Sequence, residues 1–145
     1  MRALHDLPAD ECPFDSSVAA WLPEARDRVA AGLVDEDDFD PDHCGWSAKQ
    51  VLAKVEALAA CATGRVVVHG DLSLGNLLFN DAGNVSGCID AGRLGVADPY
   101  QDIAICWRDL GGLGAAAQAM FIAALALNPP DWQRMILHRS LDELF

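Results

Sequence analysis

The sequence predicts an α+β fold that is mostly helical, with a small β-hairpin, in a single domain spanning residues 1–145. Three observations support this prediction. Apolar residues recur at helical spacing in several stretches. The β-branched run at 66–68 has the length of one short strand, and two more short apolar runs flank a polar turn at 80–84. The length of 145 residues is enough for one domain with its own hydrophobic core.

The first predicted helix is followed by an acidic segment. From Val18 onward, apolar residues fall on one face of a helix that is expected to begin near Ser16 and end near Gly32. Pro23 lies inside this pattern and is expected to kink the helix. Residues 35–42 then hold six acids in eight positions, which predicts an exposed loop because like charges repel. A solvated surface turn and an acidic surface for a polyamine are both compatible with this run.

A second helix leads into the first predicted strand. Ser47 and Gln50 have the spacing of a capping box, and the apolar stripe that follows continues to about Ala62. The valines at 66–68 predict a short buried strand, because β-branched residues favour extended backbone. This strand would deliver His69 to its end.

Two further runs, 77–79 and 85–89, predict a β-hairpin. They are joined by residues 80–84, whose Asn, Asp and Gly residues suit a tight turn. If the runs pair, Asn76 at the start of the first and Asp90 at the end of the second lie side by side at the open end of the hairpin. The hairpin would therefore bring two oxygen ligands together.

The remainder of the chain predicts three helices. Asp98 is expected to cap the first of them, with Gln101 as its capping-box partner. Glycines within 111–114 end that helix, and an alanine-rich helix follows to about Leu127. The last helix is expected to begin at Asp131. Its buried stripe is predicted to consist of Leu137, Leu141 and Leu144.

The composition limits the partners that this chain is expected to bind. A formal net charge of -12 argues against a nucleic-acid surface. It favours a cationic partner, although solubility alone is a sufficient reason for acidity. No apolar stretch reaches the about 18 residues of a membrane span, and no signal-peptide pattern is present. The five cysteines are scattered without metal-ligand spacing, so we expect reduced thiols in a cytoplasmic protein.

One arrangement of motifs points to phosphoryl transfer. The tripeptide HGD at 69–71 is followed after four residues by Asn76, and DAG at 90–92 follows the hairpin. This is the layout of the protein kinases. In that layout Asp71 accepts the proton of a substrate hydroxyl, while Asn76 and Asp90 supply oxygen ligands for Mg²⁺, which bridges the nucleotide phosphates. The alternative is a degenerate kinase-like scaffold that no longer reacts.

The segment from His69 to Asp102 strongly resembles the aminoglycoside phosphotransferases. Within it, IDAGRLGVADPYQDIA is close to the form found in the 3′-phosphotransferases that act on kanamycin and neomycin. CPFD at 12–15, AGLVDEDDFD at 31–40 and LDELF at 141–145 also match that subfamily, so the resemblance covers nearly the whole chain. It implies the C-terminal lobe of a protein-kinase-like fold and phosphorylation of an aminoglycoside hydroxyl, with ATP or GTP and Mg²⁺ as cofactors, which confers antibiotic resistance.

The resemblance also implies roles for individual residues. Asp71 is expected to be the catalytic base, and Asn76 and Asp90 to bind magnesium. His69 and Asp102 are expected to support the catalytic loop. The aminoglycoside is expected to meet Asp38, Asp40, Arg93, Arg108, Asp109, Asp142, Glu143 and the terminal carboxylate of Phe145.

The chain also departs from the family pattern. Family members have an N-terminal lobe of β-strands with a lysine that pairs with the nucleotide phosphates, and neither of the two lysines here follows a strand pattern. We therefore expect this chain to correspond to the C-terminal lobe only and to be weakly active or inactive alone. Four residues differ from the usual residues of the 3′-enzymes and leave the drug spectrum open, namely Pro41, Gly75, Ala91 and Gly112.

Two other functions are compatible with the sequence. The first is a non-enzymatic one, either an acidic lobe that binds a cationic drug without reacting or a decayed remnant. The second is a kinase-like phosphotransferase for another hydroxyl acceptor, such as a macrolide, choline or homoserine. The two acidic clusters, at 35–42 and 142–143, favour an aminoglycoside because a polycation needs several anions.

Overall fold

The computed structural model describes residues 1–145, which form six α-helices and four short β-strands. This architecture confirms the predicted α+β class. The helices are α1 (Arg2–His5), α2 (Val18–Ala31), α3 (Ala48–Leu58), α4 (Tyr100–Leu110), α5 (Ala115–Ala124) and α6 (Trp132–Asp142). The strands are β1 (Val66–Val68), β2 (Leu77–Phe79), β3 (Val85–Cys88) and β4 (Gly95–Ala97).

The main hydrophobic core lies between α2, α3 and α6. It confirms the predicted stripe of the last helix, because Leu137, Leu141 and Leu144 are all buried in it. Burying a leucine side chain contributes about 1.5–3 kcal/mol, so this stripe is a large part of what fixes α6. The end of α6 is thereby held beside the segment that precedes α3. The other members of the core are Val18, Ala25, Val29, Ala48, Val51 and Val55.

The boundaries of α2 and α3 follow their capping residues. Ser17 accepts a hydrogen bond from the Ala20 N–H at 3.3 Å, and Gly32 ends α2 with a φ of 66°. The helix continues through Pro23 without interruption. Both reciprocal bonds of the predicted Ser47 capping box are present. Helix α3 is shorter than predicted, because residues 59–61 tighten into a 3₁₀ turn.

Two separate antiparallel pairs of strands support the loops between α3 and α4. The hairpin of β2 and β3 forms as predicted, with Leu77 opposite Cys88. The Asn80 side chain orders its turn by accepting the N–H groups of Ala82 and Asn84 at 3.1 and 3.0 Å. Strand β1 is confirmed, and it pairs with β4, which the sequence did not predict. Pairing β1 with β4 fixes both ends of the intervening segment, residues 69–94.

The C-terminal helices follow the predicted order with small changes in length. Helix α4 begins at Tyr100 with Pro99 at its N-cap, one residue later than predicted, although Asp98 Oδ1 still accepts the N–H of Tyr100 at 2.9 Å. Gln101 does not complete a capping box, because its side chain donates to the Gly70 carbonyl at 3.1 Å instead. Helix α5 ends at Ala124, earlier than predicted, and buries none of its residues. None of the six helices is both long enough and apolar enough to span a bilayer.

Candidate active site

The loop after β1 is fixed by one buried carboxylate. Asp102, on α4, accepts the backbone N–H of His69 at 3.0 Å through Oδ2 and that of Gly70 at 2.9 Å through Oδ1. Its Oδ2 also lies 2.9 Å from His5 Nε2. Asp102 is completely buried, so its negative charge is compensated by these three donors rather than by water. The geometry suits a residue that supports this loop.

Gly70 permits a close approach of two loops. It has a φ of +89°, and a Cβ at this position would overlap the carbonyl oxygen of Arg93. Only glycine meets both conditions at no steric cost. The same Arg93 carbonyl accepts a hydrogen bond from the Ser16 hydroxyl at 2.5 Å. The loop that contains Asp71 is therefore packed directly against the segment that follows Asp90.

Asp71 and Asn76 are joined by hydrogen bonds. The Asn76 Nδ2 group donates to the backbone oxygen of Asp71 at 2.9 Å and to its Oδ2 at 3.2 Å. A 3₁₀ turn over 74–76 makes this approach possible. Asp109, on α4, accepts the N–H of Leu74 at 2.9 Å and so fixes the middle of the loop. Because Nδ2 is used internally, the Oδ1 of Asn76 is the atom available to a cation.

Asp90 lies at the open end of the hairpin, beside Asn76. The Ile89 N–H donates to the Asn76 carbonyl at 3.0 Å, which extends the β2–β3 ladder by one bond. His69 donates from Nε2 to the Ile89 carbonyl at 2.9 Å and is itself fully buried. Asp90 has a φ of 59°, a left-handed conformation that aspartate tolerates better than most residues. Its carboxylate is exposed and makes no hydrogen bond within the chain.

These two side chains fit a magnesium ion better than a metal bound by protein alone. No three carboxylate, imidazole or thiol groups converge into a metal site. Asn76 and Asp90 together supply hard oxygen ligands, and Mg²⁺ is typically held by one or two such protein groups, the rest of its shell being water and substrate phosphate. The donor set therefore suits Mg²⁺ bound jointly with a nucleotide.

Asp71 opens into an acidic cleft of about 630 Å³. Three arginines, Arg28, Arg93 and Arg108, line the cleft as well, so carboxylates outnumber guanidinium groups there. All eight residues predicted to meet the aminoglycoside line this one space, and Asn76 and Asp90 lie outside its lining. Its seven acidic side chains are Asp35, Asp38, Asp40, Asp71, Asp109, Asp142 and Glu143.

Asp142 is held between two arginines at the end of α6. Its Oδ1 accepts a hydrogen bond from Arg93 Nη1 at 2.8 Å, and its Oδ2 accepts one from Arg108 Nη1 at 2.6 Å. Burial alone would lower the pKa of the Arg108 guanidinium, but Asp142, Asp40 and Asp109 outweigh burial and raise that pKa. These two charge-assisted bonds fix the orientation of the Asp142 carboxylate within the cleft.

Glu143 is held from the opposite side. Its carboxylate accepts the backbone N–H of Asp40, with distances of 3.1 and 3.2 Å to its two oxygens, and lies 3.0 Å from His43 Nδ1. Burial raises the pKa of Glu143, and the nearby charge of Asp40 adds to the rise, while His43 and the Asp40 N–H partly oppose it. Arg28 donates to the Phe145 carboxyl oxygen at 3.0 Å. Asp38 lies on the same cleft and is exposed.

Comparison with known proteins identifies the family. Residues 1–138 match the sequence model of a phosphotransferase enzyme family, APH. The chain belongs to this family. It is 41% identical over 145 residues to an aminoglycoside 3′-phosphotransferase from Escherichia coli, in a match that covers 100% of this chain and 53% of the relative. The chain thus spans about half the length of the curated relatives it matches.

Solved structures of family members have the same fold. The crystal structure of aminoglycoside-3′-phosphotransferase of type VIII superposes with a TM-score of 0.91 at 35% identity, over 99% of this chain and 57% of that one. An aminoglycoside phosphotransferase from Streptomyces rimosus in complex with ADP and streptomycin gives 0.87 at 31% identity, over 99% and 58%. The resemblance to the aminoglycoside phosphotransferases and the expected part of a kinase-like fold are both confirmed.

The sequence did not predict the roles of three residues at this site, Gln101, His43 and Arg28. Gln101 looked like a helix cap, yet it binds the Gly70 carbonyl. His43 and Arg28 attracted no prediction, although each binds one of the last three residues of the chain. A histidine directly after an acidic run is a weak pattern. No local pattern could have paired it with a residue a hundred positions away.

Proposed function

We propose that this chain forms the acceptor-binding and catalytic part of a phosphotransferase that moves the γ-phosphoryl group of ATP or GTP to a hydroxyl of an aminoglycoside. The observation that supports this proposal is the acidic cleft, in which Asp71 faces the same space as carboxylates from both acidic clusters. A related protein of known structure binds ADP and streptomycin. The sequence resemblance to the 3′-phosphotransferases favours the 3′-hydroxyl as the acceptor.

The charge of the cleft fits a polycationic acceptor. Seven carboxylates and three arginines leave an excess of negative charge that several ammonium groups would neutralise. Asp38 makes no ion pair and Asp40 makes only long ones, of 3.7 and 3.8 Å, so both are available to a ligand. An acceptor with a single cationic group, such as choline or a macrolide amino sugar, would leave most of these carboxylates without counter-charge. The cleft therefore favours an aminoglycoside over the other acceptors.

Asp71 would act as the general base. A ring hydroxyl bound in the cleft would donate its hydrogen bond to the Asp71 carboxylate, which takes the proton as the oxygen attacks phosphorus. The bond from Asn76 Nδ2 holds the Asp71 side chain in one orientation before the acceptor arrives. Asp102 and Gln101 hold the backbone on which Asp71 is mounted. Orientation by these residues is what the chain contributes to the rate.

Asn76 and Asp90 would hold Mg²⁺. When bound, the ion neutralises charge on the nucleotide phosphates. His69 contributes indirectly, because its bond to the Ile89 carbonyl fixes the residue before Asp90. Ile89 is thus bonded to His69 and to Asn76, so the hairpin is tied to the catalytic loop next to both proposed ligands, Asn76 and Asp90.

Two measurements test the proposal. Calorimetry on the 145-residue chain should show binding of kanamycin that weakens steeply with salt, because charge pairing provides the affinity. For transfer, the chain should be joined to the N-terminal half of the related E. coli enzyme, which is the part expected to hold the nucleotide, and assayed with ATP and kanamycin. The chain alone should be weakly active or inactive.

The decisive variant is Asp71→Ala. In the joined protein it should lower turnover by at least about a hundredfold, the usual contribution of a general base, while leaving kanamycin affinity nearly unchanged. Asp81→Ala is the matched control, because Asp81 is an exposed acid in the hairpin turn. Equal turnover in the two variants would rule out Asp71 as the base.

A further inference from the structure

His43 lies directly behind Glu143 and is not part of the cleft lining. It ends the 3₁₀ turn Pro41–His43 and is 2% exposed, although its neighbours in sequence are exposed. Its Nδ1 is 3.0 Å from Glu143 Oε1. The ring is fixed on its other side by Trp46, at 5.4 Å between ring centroids in an edge-to-face arrangement. A buried histidine in one orientation thus contacts one acid of the cleft.

The partners of the second ring nitrogen determine which nitrogen carries the proton. His43 Nε2 lies 3.4 Å from Lys54 Nζ and 3.1 Å from Ser140 Oγ. An ammonium group can only donate, so Nε2 must accept from Lys54. The neutral ring then carries its hydrogen on Nδ1 and donates it to Glu143. A doubly protonated ring would place a second cation against Lys54, whose ammonium group also lies 4.8 Å above the Trp46 ring.

Glu143 needs such support because of where it lies. It caps the C-terminal end of α6, where the helix dipole disfavours negative charge, and its side chain is only 6% exposed. The Asp40 N–H and His43 are the donors that hold its carboxylate. Truncating His43 would leave one of two supporting bonds and allow the carboxylate to turn away from the cleft or to take up a proton.

We propose that His43 is a positioning residue for acceptor binding, and that Lys54 holds its ring in the tautomer that directs the Glu143 carboxylate toward a substrate ammonium group. The inference rests on the proposed function, because it takes Glu143 to be an acceptor ligand. It adds a chain of three residues, Lys54, His43 and Glu143, that links α3 to the acidic cleft. His43 does not touch the substrate and acts through Glu143 alone.

The test is a double-mutant cycle in which the affinity of the 145-residue chain for kanamycin is measured by calorimetry. Glu143→Gln should weaken binding. His43→Ala should weaken it about tenfold, the value of one charged hydrogen bond. His43→Asn, whose amide can donate from nearly the position of Nδ1, should recover most of that loss. In the Glu143→Gln background, His43→Ala should have no further effect.

The outcomes separate the inference from the function on which it rests. If Glu143→Gln leaves affinity unchanged, the proposed acceptor site is wrong. If Glu143→Gln weakens binding but His43→Ala does not, or if His43→Ala costs the same in both backgrounds, His43 has no positioning role. The nitrogen-15 spectrum of the unsubstituted chain gives an independent reading that requires no variant to fold. It should show the Nδ1-protonated tautomer of His43, and an Nε2-protonated ring would overturn the proposal.

Discussion

Replacing Asp102 by asparagine should strongly destabilise the fold. Asp102 is completely buried and accepts three hydrogen bonds, from the N–H groups of His69 and Gly70 and from His5. Asparagine has the same shape but only one acceptor oxygen. If that oxygen keeps the bonds to His69 and His5, the amide NH₂ faces the Gly70 N–H, and two donors oppose each other in a buried site.

The cost follows from these bonds. A buried N–H left without a partner costs about 1–3 kcal/mol. The two bonds that remain lose the added strength of an ionised acceptor, which is about half of their value. We therefore expect Asp102→Asn to lower the free energy of unfolding by about 3 kcal/mol, a change of more than a hundredfold in the unfolding equilibrium.

Urea unfolding of the 145-residue chain, followed by circular dichroism, measures this loss. Asp10→Asn is the matched control, because it makes the same chemical change in a side chain that is 98% exposed and lies 3.8 Å from Arg65. The control should stay within about 0.5 kcal/mol of the unsubstituted chain. A loss of less than about 1 kcal/mol for Asp102→Asn would show that the loop does not depend on this carboxylate.

Two further predictions concern the glycine of the catalytic loop and the response to acid. In urea unfolding, Gly70→Ala should lower the free energy of unfolding far more than Gly83→Ala. Both glycines have positive φ, but only at Gly70 would a Cβ overlap backbone atoms, those of Arg93. Equal losses in the two variants would contradict the close approach of the two loops. Burial lowers the pKa of His138 to about 4 despite the nearby charge of Asp98. Between pH 6.5 and about 4, His138 is therefore protonated in the unfolded chain but neutral in the folded chain. The free energy of unfolding should fall as the pH falls through this range. The loss from pH 7 to pH 5 should be about 2 kcal/mol, and it should disappear in His138→Gln measured at the same two pH values.

Patterns among neighbouring residues predicted most of the secondary structure. The Ser47 capping box, the β1 valines and the turn at 80–84 all depend on residues within a few positions of one another, and each forms as expected. Strand β4 could not be predicted in this way. Its three residues, Gly95–Ala97, become a strand because β1 and the backbone of Phe14 supply hydrogen-bond partners. Those partners are distant in sequence, so no local pattern predicts the strand.

The site was predictable where chemistry requires fixed spacing. Asp71 and Asn76 belong to one loop, and a hairpin of the expected length brings Asp90 beside Asn76. The acidic run was less predictable. Asp38 remains exposed as a surface loop would be, whereas Asp40 is partly buried and donates its N–H to Glu143. The difference between these two acids comes from the contact of Asp40 with Glu143, which lies 103 positions further along the chain and therefore leaves no local pattern in the sequence.

Separate donors for the individual carboxylates explain how so many acids can be gathered in one cleft before a cationic ligand binds. Asp142 and Glu143 lie at the end of α6, where the helix dipole opposes them, and close to the acids of 35–42. Asp142 accepts hydrogen bonds from two guanidinium groups. Glu143 is held instead by His43 and by the backbone N–H of Asp40. Burial raises the pKa of Glu143, so a cation bound beside it would favour its ionised form. An incoming ammonium group would have to compete with arginines for Asp142 but not for Glu143. The donors that orient Glu143 should therefore affect affinity more than those that hold Asp142.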